Sequence, residues 1–188
     1  KFILSTTTLV LSGVFFGNID RVMLGMFIES EFIGYYTAAY SLIGAMIPIL
    51  GFASIVLFPI FSRARGEQLK LLLKKSIGLT ILASIFAILG TILFSGLVVN
   101  LIYGNSYLPS VNILQFLSPL LFILPLAALY QSYNIAQGKP DKVAKLLIIS
   151  TLLNIILNAI FILTFLKQGG PLAAVYGAAL ATIISQIV

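Results

Sequence analysis

The chain has 188 residues, of which 60% are hydrophobic and 9% charged, with a net charge of +6. Soluble domains run nearer 45–50% apolar and about 25% charged. A mean hydropathy of +1.14 therefore excludes a soluble enzyme, a disordered tail and a nucleic-acid module, and leaves a polytopic membrane protein.

Apolar runs of about 18 residues or more predict an all-α membrane bundle of about six transmembrane helices, at residues 2–28, 32–61, 77–100, 111–137, 143–166 and 171–188. The runs are too long and too uniformly apolar for barrel strands. The first carries Asp20 and Arg21 well inside the helix. Charges at that depth cost several kcal/mol unless paired or wetted, and neighbours on a helix point about 100° apart, so the two do not simply neutralise each other. Two readings stand open: a structural ion pair with another helix, or a cavity charge for an anionic substrate or a coupling ion. Gly13, Gly17 and Gly25 recur on the same side, where a neighbouring helix can approach closely.

The second run has Pro48 near its middle between Gly44 and Gly51, and Tyr35, Tyr36 and Tyr40 near its outer end. The tyrosines read as an interfacial belt or as a platform for a sugar. The third run shows small residues at Thr80, Ser84, Ala87 and Thr91, a close-packing face. The fourth is interrupted by Pro119 and Pro125 and ends in a polar stretch holding Gln131 and Asn134, which reads as a vestibule or as a plain interfacial end. The fifth aligns Ser150, Asn154 and Asn158 at i, i+4, i+8. Two asparagines near the bilayer centre either hydrogen-bond another helix or line a hydrated path. The sixth aligns Ala174, Ala178, Ala181 and Ser185, again a packing stripe.

The connections separate by charge. Counting Lys1, nine of the eleven basic residues fall on one side, in loops 62–75 and 137–145; Lys167 is on the other, and Arg21 lies in the membrane. Basic loops stay inside, so both are expected in the cytoplasm, on a multi-pass protein of the cell (cytoplasmic) membrane. The charge thus reports topology, with membrane lipid as partner and no nucleic acid. There is no cysteine and no histidine, which removes thiol chemistry, disulfides and imidazole ligands. No metal site, Walker sequence or pair of catalytic carboxylates is present, so no catalytic residue and no enzyme activity is expected. Without a cofactor, energy has to come from a proton or sodium gradient, the membrane potential or the substrate's own gradient.

The successive stretches Asn18-Ile19-Asp20-Arg21-Val22-Met23-Leu24-Gly25, Ile33-Gly34-Tyr35-Tyr36-Thr37-Ala38-Ala39-Tyr40 and Leu57-Phe58-Pro59-Ile60-Phe61-Ser62 resemble the polysaccharide transporter family of Wzx-type flippases, within the multidrug/oligosaccharidyl-lipid/polysaccharide exporter superfamily. Asn134 to Lys139, Leu153 to Asn158 and Gly177 to Ser185 fit the same succession. The resemblance implies one lobe, residues 1–188, of a two-lobed alternating-access transporter whose N-terminal lobe is not in this sequence. It implies a lipid-linked oligosaccharide as the substrate, moved from the cytoplasmic to the outer leaflet. Arg21 is then the cation for the carrier's phosphate, Asp20 balances it or couples a proton or sodium ion, and Asn154, Asn158, Gln131 and Asn134 are hydrogen-bonding residues for sugar hydroxyls. An ion-coupled multidrug exporter and a non-transporting cell-envelope assembly factor are the competing readings.

Overall fold

A computed structural model describes residues 18–187. Residues 2–17 of the first expected span, with Gly13 and Gly17, lie outside the described residues. Those that are described form helices joined by turns, with no strand among them, so the chain is an all-α bundle. The elements are α1 (the described turns at 18–25), α2 (Ser30–Leu50), α3 (Phe52–Arg63), α4 (Gly66–Tyr103), α5 (Ser110–Leu117), α6 (Leu120–Ala136) and α7 (Pro140–Ser185). Ser30–Arg63, Gly66–Tyr103 and Pro140–Ser185 are long and apolar enough to cross a bilayer, and α5 with α6 makes a further crossing bent by 42°. This is a multi-pass membrane protein.

The breaks fall near the prolines and glycines. α2 stops at Gly51, three residues after Pro48, whose missing N–H weakens the preceding turn. Gly51 N–H bonds the Ile47 carbonyl at 2.7 Å and the Ser54 hydroxyl bonds the Gly51 carbonyl at 2.6 Å, so the interruption is satisfied internally. Pro119 stands at the α5–α6 bend, whereas Pro125 sits inside α6 without ending it.

α7 is two helices. Gly170, at φ 75° and ψ −165°, interrupts the helical backbone, and glycine enters that region without a Cβ penalty. Asn154 bonds Thr182 and Ser185, contacts possible only if the arm after Gly170 runs back along the arm before it. The fifth and sixth expected spans are thus an antiparallel hairpin. Its arms touch at Gly177, where an added Cβ would stand 2.7 Å from the Phe161 carbonyl oxygen. The small stripe Ala174, Ala178, Ala181 and Ser185 is fully buried, as a close-packing face requires.

The two ends of the bundle differ in chemistry. Phe61, Ala64, Leu69 and Leu129 pack together at one end. Gln137 donates to the Phe61 carbonyl at 2.6 Å and Ser132 to the Ser54 carbonyl at 2.6 Å. These contacts bring the basic connection after α3 and the basic connection after α6 to the same end. α4, of 38 residues, is about 57 Å long at 1.5 Å per residue. A hydrocarbon core is about 30 Å thick, so the first turns, with Lys70, Lys74 and Lys75, extend past it. At the other end Tyr107 meets Tyr35 edge-on at 5.8 Å and Tyr103 at 5.4 Å, a ring cluster of the interfacial kind.

Between the ends, Leu24, Tyr36, Ile43, Val99, Leu117, Leu120 and Ile162 form the main core. α4 contributes Ser76, Thr80, Ser84, Thr91 and Ser95 to its packed face, all buried. Its outward side presents Leu79, Phe86, Leu93, Phe94 and Leu101, all exposed. In water this pattern would be inside out. In lipid, small residues belong between helices and large apolar ones outside. Gly177→Ala is expected to force the hairpin arms apart and lower stability by about 1–3 kcal/mol. Gly78→Ala, where nothing lies within 4 Å, leaves the melting temperature of the purified protein unchanged or higher.

Candidate functional site

Asp20 is the centre of the site. It is 3% exposed, and three helical segments converge on its carboxylate. Tyr36 of α2 donates to Oδ2 at 2.6 Å, and so does Thr182 of the returning arm of α7 at 2.6 Å. Asn158 of the first arm donates to Oδ1 at 2.6 Å. The network continues behind these donors. The Asn158 amide nitrogen also lies 3.1 Å from Asn154 Oδ1, and Asn154 in turn donates to Thr182 at 3.3 Å and Ser185 at 3.2 Å. Asn154, Asn158, Thr182 and Ser185 have no exposed surface.

Periodicity explains the convergence. Asn154 and Asn158 are four residues apart and Thr182 and Ser185 three, so each pair occupies one helix face. The antiparallel hairpin sets one pair against the other. The polar stripe of the fifth span therefore hydrogen-bonds its neighbours. One atom is left over: the buried Asn158 Oδ1 has no hydrogen-bond partner.

Arg21 takes no part in this network. Being one residue along the helix, it leaves in another direction. Its Cζ stands 5.6 Å from the centre of the Tyr40 ring, and Nη1 is 3.4 Å from Asn18 Oδ1. Tyr40 itself stacks on Tyr36, at 5.8 Å and 22°. Aromatic rings thus separate the cation from the carboxylate. No described carboxylate pairs with Arg21, and its Nε is buried without a partner. A cation held over a ring face gains roughly 1–2 kcal/mol, which leaves the donors of its planar fork for an anion.

The two remaining expected residues lie elsewhere. Gln131, half-buried, joins Tyr130, Ser150 and Gln186 in lining a small cavity of about 60 Å³ between α6 and α7. Asn134 is buried and donates within its own helix to the Tyr130 carbonyl at 2.9 Å. Asp20, Asn154 and Asn158 thus come together, Arg21 stands beside them behind two rings, and Gln131 and Asn134 lie toward the basic end. The small cavity shares Ala127, Tyr130, Leu146 and Gln186 with a wider apolar cleft of about 820 Å³ that runs past Ile88, Pro119 and Phe122.

Three members of the network were not expected from the sequence. Tyr36 was grouped with Tyr35 and Tyr40 as a belt or sugar platform, but it is 1% exposed and serves Asp20. Ser185 belongs to the alanine-rich packing stripe, and Thr182 stands one residue beside it at Ala181, with no role assigned from the sequence. Their signal is the i, i+3 spacing of two hydroxyls in an otherwise apolar run. Tyr36→Phe is expected to remove a donor from a buried carboxylate and cost about 1–3 kcal/mol. Tested in the Asp20→Asn background, the same change is expected to cost measurably less, by thermal unfolding of the purified protein.

A sequence model described as polysaccharide biosynthesis protein matches residues 1–112. The chain is also 25% identical to a protein from Haloferax volcanii described as a probable low-salt glycan biosynthesis flippase, Agl15, over 93% of this chain and 36% of the relative. It therefore spans about a third of the length of the curated relative it matches. No solved structure matches.

Proposed function

The chain belongs to the polysaccharide biosynthesis protein family, and from that premise we propose that it is one lobe of a flippase for a glycan carried on a polyprenyl phosphate or pyrophosphate. The load moves from the cytoplasmic to the outer leaflet of the cytoplasmic membrane by alternating access, with no covalent step. The rest of the cavity wall comes from a further lobe of the same protein. An ion gradient supplies the energy.

Arg21 is the observation that carries this reading. A sugar chain is neutral or variable, but every such carrier presents a phosphate, and a planar guanidinium recognises it through paired hydrogen bonds. Arg21 has what that task needs. It lies in a segment of membrane character, no described carboxylate neutralises it, and its Nε lacks a partner. The Tyr40 face holds the guanidinium in place. Of the four amide residues expected to meet sugar hydroxyls, Gln131 is the one whose half-buried side chain borders a cavity, and we assign it to the glycan.

The multidrug reading needs an accessible carboxylate for organic cations. Asp20 supports it poorly, because its carboxylate is enclosed by three donors. The flippase reading asks of Asp20 only that it hold the lobe together and sense an ion.

The test uses the full-length protein in proteoliposomes, with a polyprenyl-pyrophosphate oligosaccharide in one leaflet and a sugar-modifying enzyme reporting its arrival in the other. Arg21→Ala is expected to lower the flipping rate by about 10- to 100-fold, the worth of a charged hydrogen bond. Folded protein stays within about twofold of the wild type, since no ion pair is broken. Arg21→Lys recovers part of the rate, because a point charge replaces the fork. Equal losses of flipping and of folded protein would make Arg21 a structural residue and remove the basis for the assignment.

A further inference from the structure

We infer that the apolar cleft between α4, α6 and α7 is a binding site for one anionic phospholipid, taken from the leaflet at the basic end of the bundle. The inference stands apart from the flippase reading, because it assigns a resident lipid and not a transported one.

The first observation is the chemistry of the wall. The cleft measures about 820 Å³ and runs past Ile88 of α4 and past Pro119, Phe122, Ile123 and Leu126 of α6. It is far larger than the roughly 150 Å³ of an engineered apolar cavity that takes up benzene. Space between packed helices costs stability in proportion to its volume unless apolar groups occupy it. A polar ligand would find no hydrogen-bond partner along this wall. A hydrocarbon chain finds contact on every side.

The second observation is length. Pro119 and Tyr130 mark the two ends of the α6 wall, and the rise between them is about 16 Å at 1.5 Å per residue. A hydrocarbon core is about 30 Å thick, so the cleft reaches across one leaflet. Its polar lining residues are Tyr130 and Gln186, and both lie at one end. Tyr130 is near the close of α6 at Ala136, toward the basic connection. It is 46% exposed, which opens that end of the cleft to a surrounding bilayer. The end at Pro119 has no polar lining.

The third observation is charge. Leu146 of α7 lines the cleft, and Lys142, exposed, stands four residues earlier on the same helix face. Lys139 and Lys145 flank it, and Asp141 is the one acid in that stretch. No acidic side chain lines the cleft among the described residues. Basic residues beside a groove between membrane helices attract anionic headgroups. From its basic end inward, the site presents cation, polar side chain and hydrocarbon wall. Phosphate, glycerol and chain follow in that order in an anionic phospholipid.

The test uses the full-length protein in mild detergent, stripped of lipid and mixed with equal amounts of phosphatidylglycerol and phosphatidylcholine bearing the same chains. Native mass spectrometry reads what is kept. Phosphatidylglycerol is expected to be retained about fivefold over phosphatidylcholine, the worth of one lysine near an anionic lipid. Lys142→Gln brings the two toward parity. Leu126→Trp, which puts a bulky ring into the cleft, is expected to lower retention of both by about tenfold. Leu93→Trp, on the exposed outward side of α4, leaves retention unchanged. If Leu126→Trp does not fold, a phosphatidylglycerol carrying a diazirine in its chain decides in the unmutated protein, with crosslinks collecting on Phe122, Ile123 and Leu126. Equal retention of the two lipids, retention untouched by Leu126→Trp, or crosslinks spread over Phe86 and Leu93 overturn the proposal. Displacement of phosphatidylglycerol by an equal amount of polyprenyl phosphate also overturns it, and would make the cleft part of the carrier's path. No glycan is present, so failure of the flipping assay leaves this result standing, and the reverse also holds.

Discussion

A single carboxylate holds this bundle in register. Asp20 accepts hydrogen bonds from α2 and from both arms of α7 while itself belonging to α1. In lipid there is little hydrophobic force between helices, so specific polar contacts and close packing have to choose among the ways apolar rods can lie together. A partner at a fixed distance from one charged atom makes that choice sharply. Moving α2 or α7 by one turn would leave Asp20 buried and bare. The tight approach of the α7 arms at Gly177 serves the same end, because it sets Asn158 and Thr182 at the spacing the carboxylate requires.

The partition of Asp20 and Arg21 follows from helix geometry. Adjacent residues diverge by about 100°, so a charged pair in sequence cannot share one environment inside a bundle. One goes to the core, where polar side chains enclose it. The other goes over the Tyr40 ring, itself stacked on the ring that serves the first. The rings keep the two charges from collapsing onto each other. The chain thereby keeps an acidic and a basic side chain apart within one short segment. α1 bears both residues.

Much of this was legible in the sequence because the bilayer imposes coarse rules. Span length, charge bias between loops and the small-residue stripes each follow from one physical constraint, and the helices, the clustered basic ends and the buried Ala174–Ser185 face agree with them. The polar stripe of Asn154 and Asn158 was legible as a face that hydrocarbon would not tolerate, but not as a face turned toward Asp20, 138 residues away. Periodicity gives direction around one helix and nothing about which helix stands opposite. Tyr36 escaped for the same reason. Its neighbour Tyr35 suits an interface, with Glu31 and Tyr107 about it, and one step of about 100° around the helix separates that position from a core donor. Gly170 carries no signal in the sequence pattern, though it creates the hairpin that assembles the site.

The hairpin also has a bearing on how the protein is made. At roughly 5–20 residues per second, the ribosome takes about 7–28 s to pass from Asp20 to Asn158. Throughout that interval the first helix carries a charge whose permanent donors have not been synthesised, except for Tyr36. The α7 arms have no such delay, because the turn at Gly170 lets their polar faces meet as soon as the second arm emerges. The last pair of helices can enter lipid as a self-satisfied unit, and its arrival releases the first helix from whatever watery shelter has held it. Membrane integration of this bundle is therefore timed by the hairpin at Gly170.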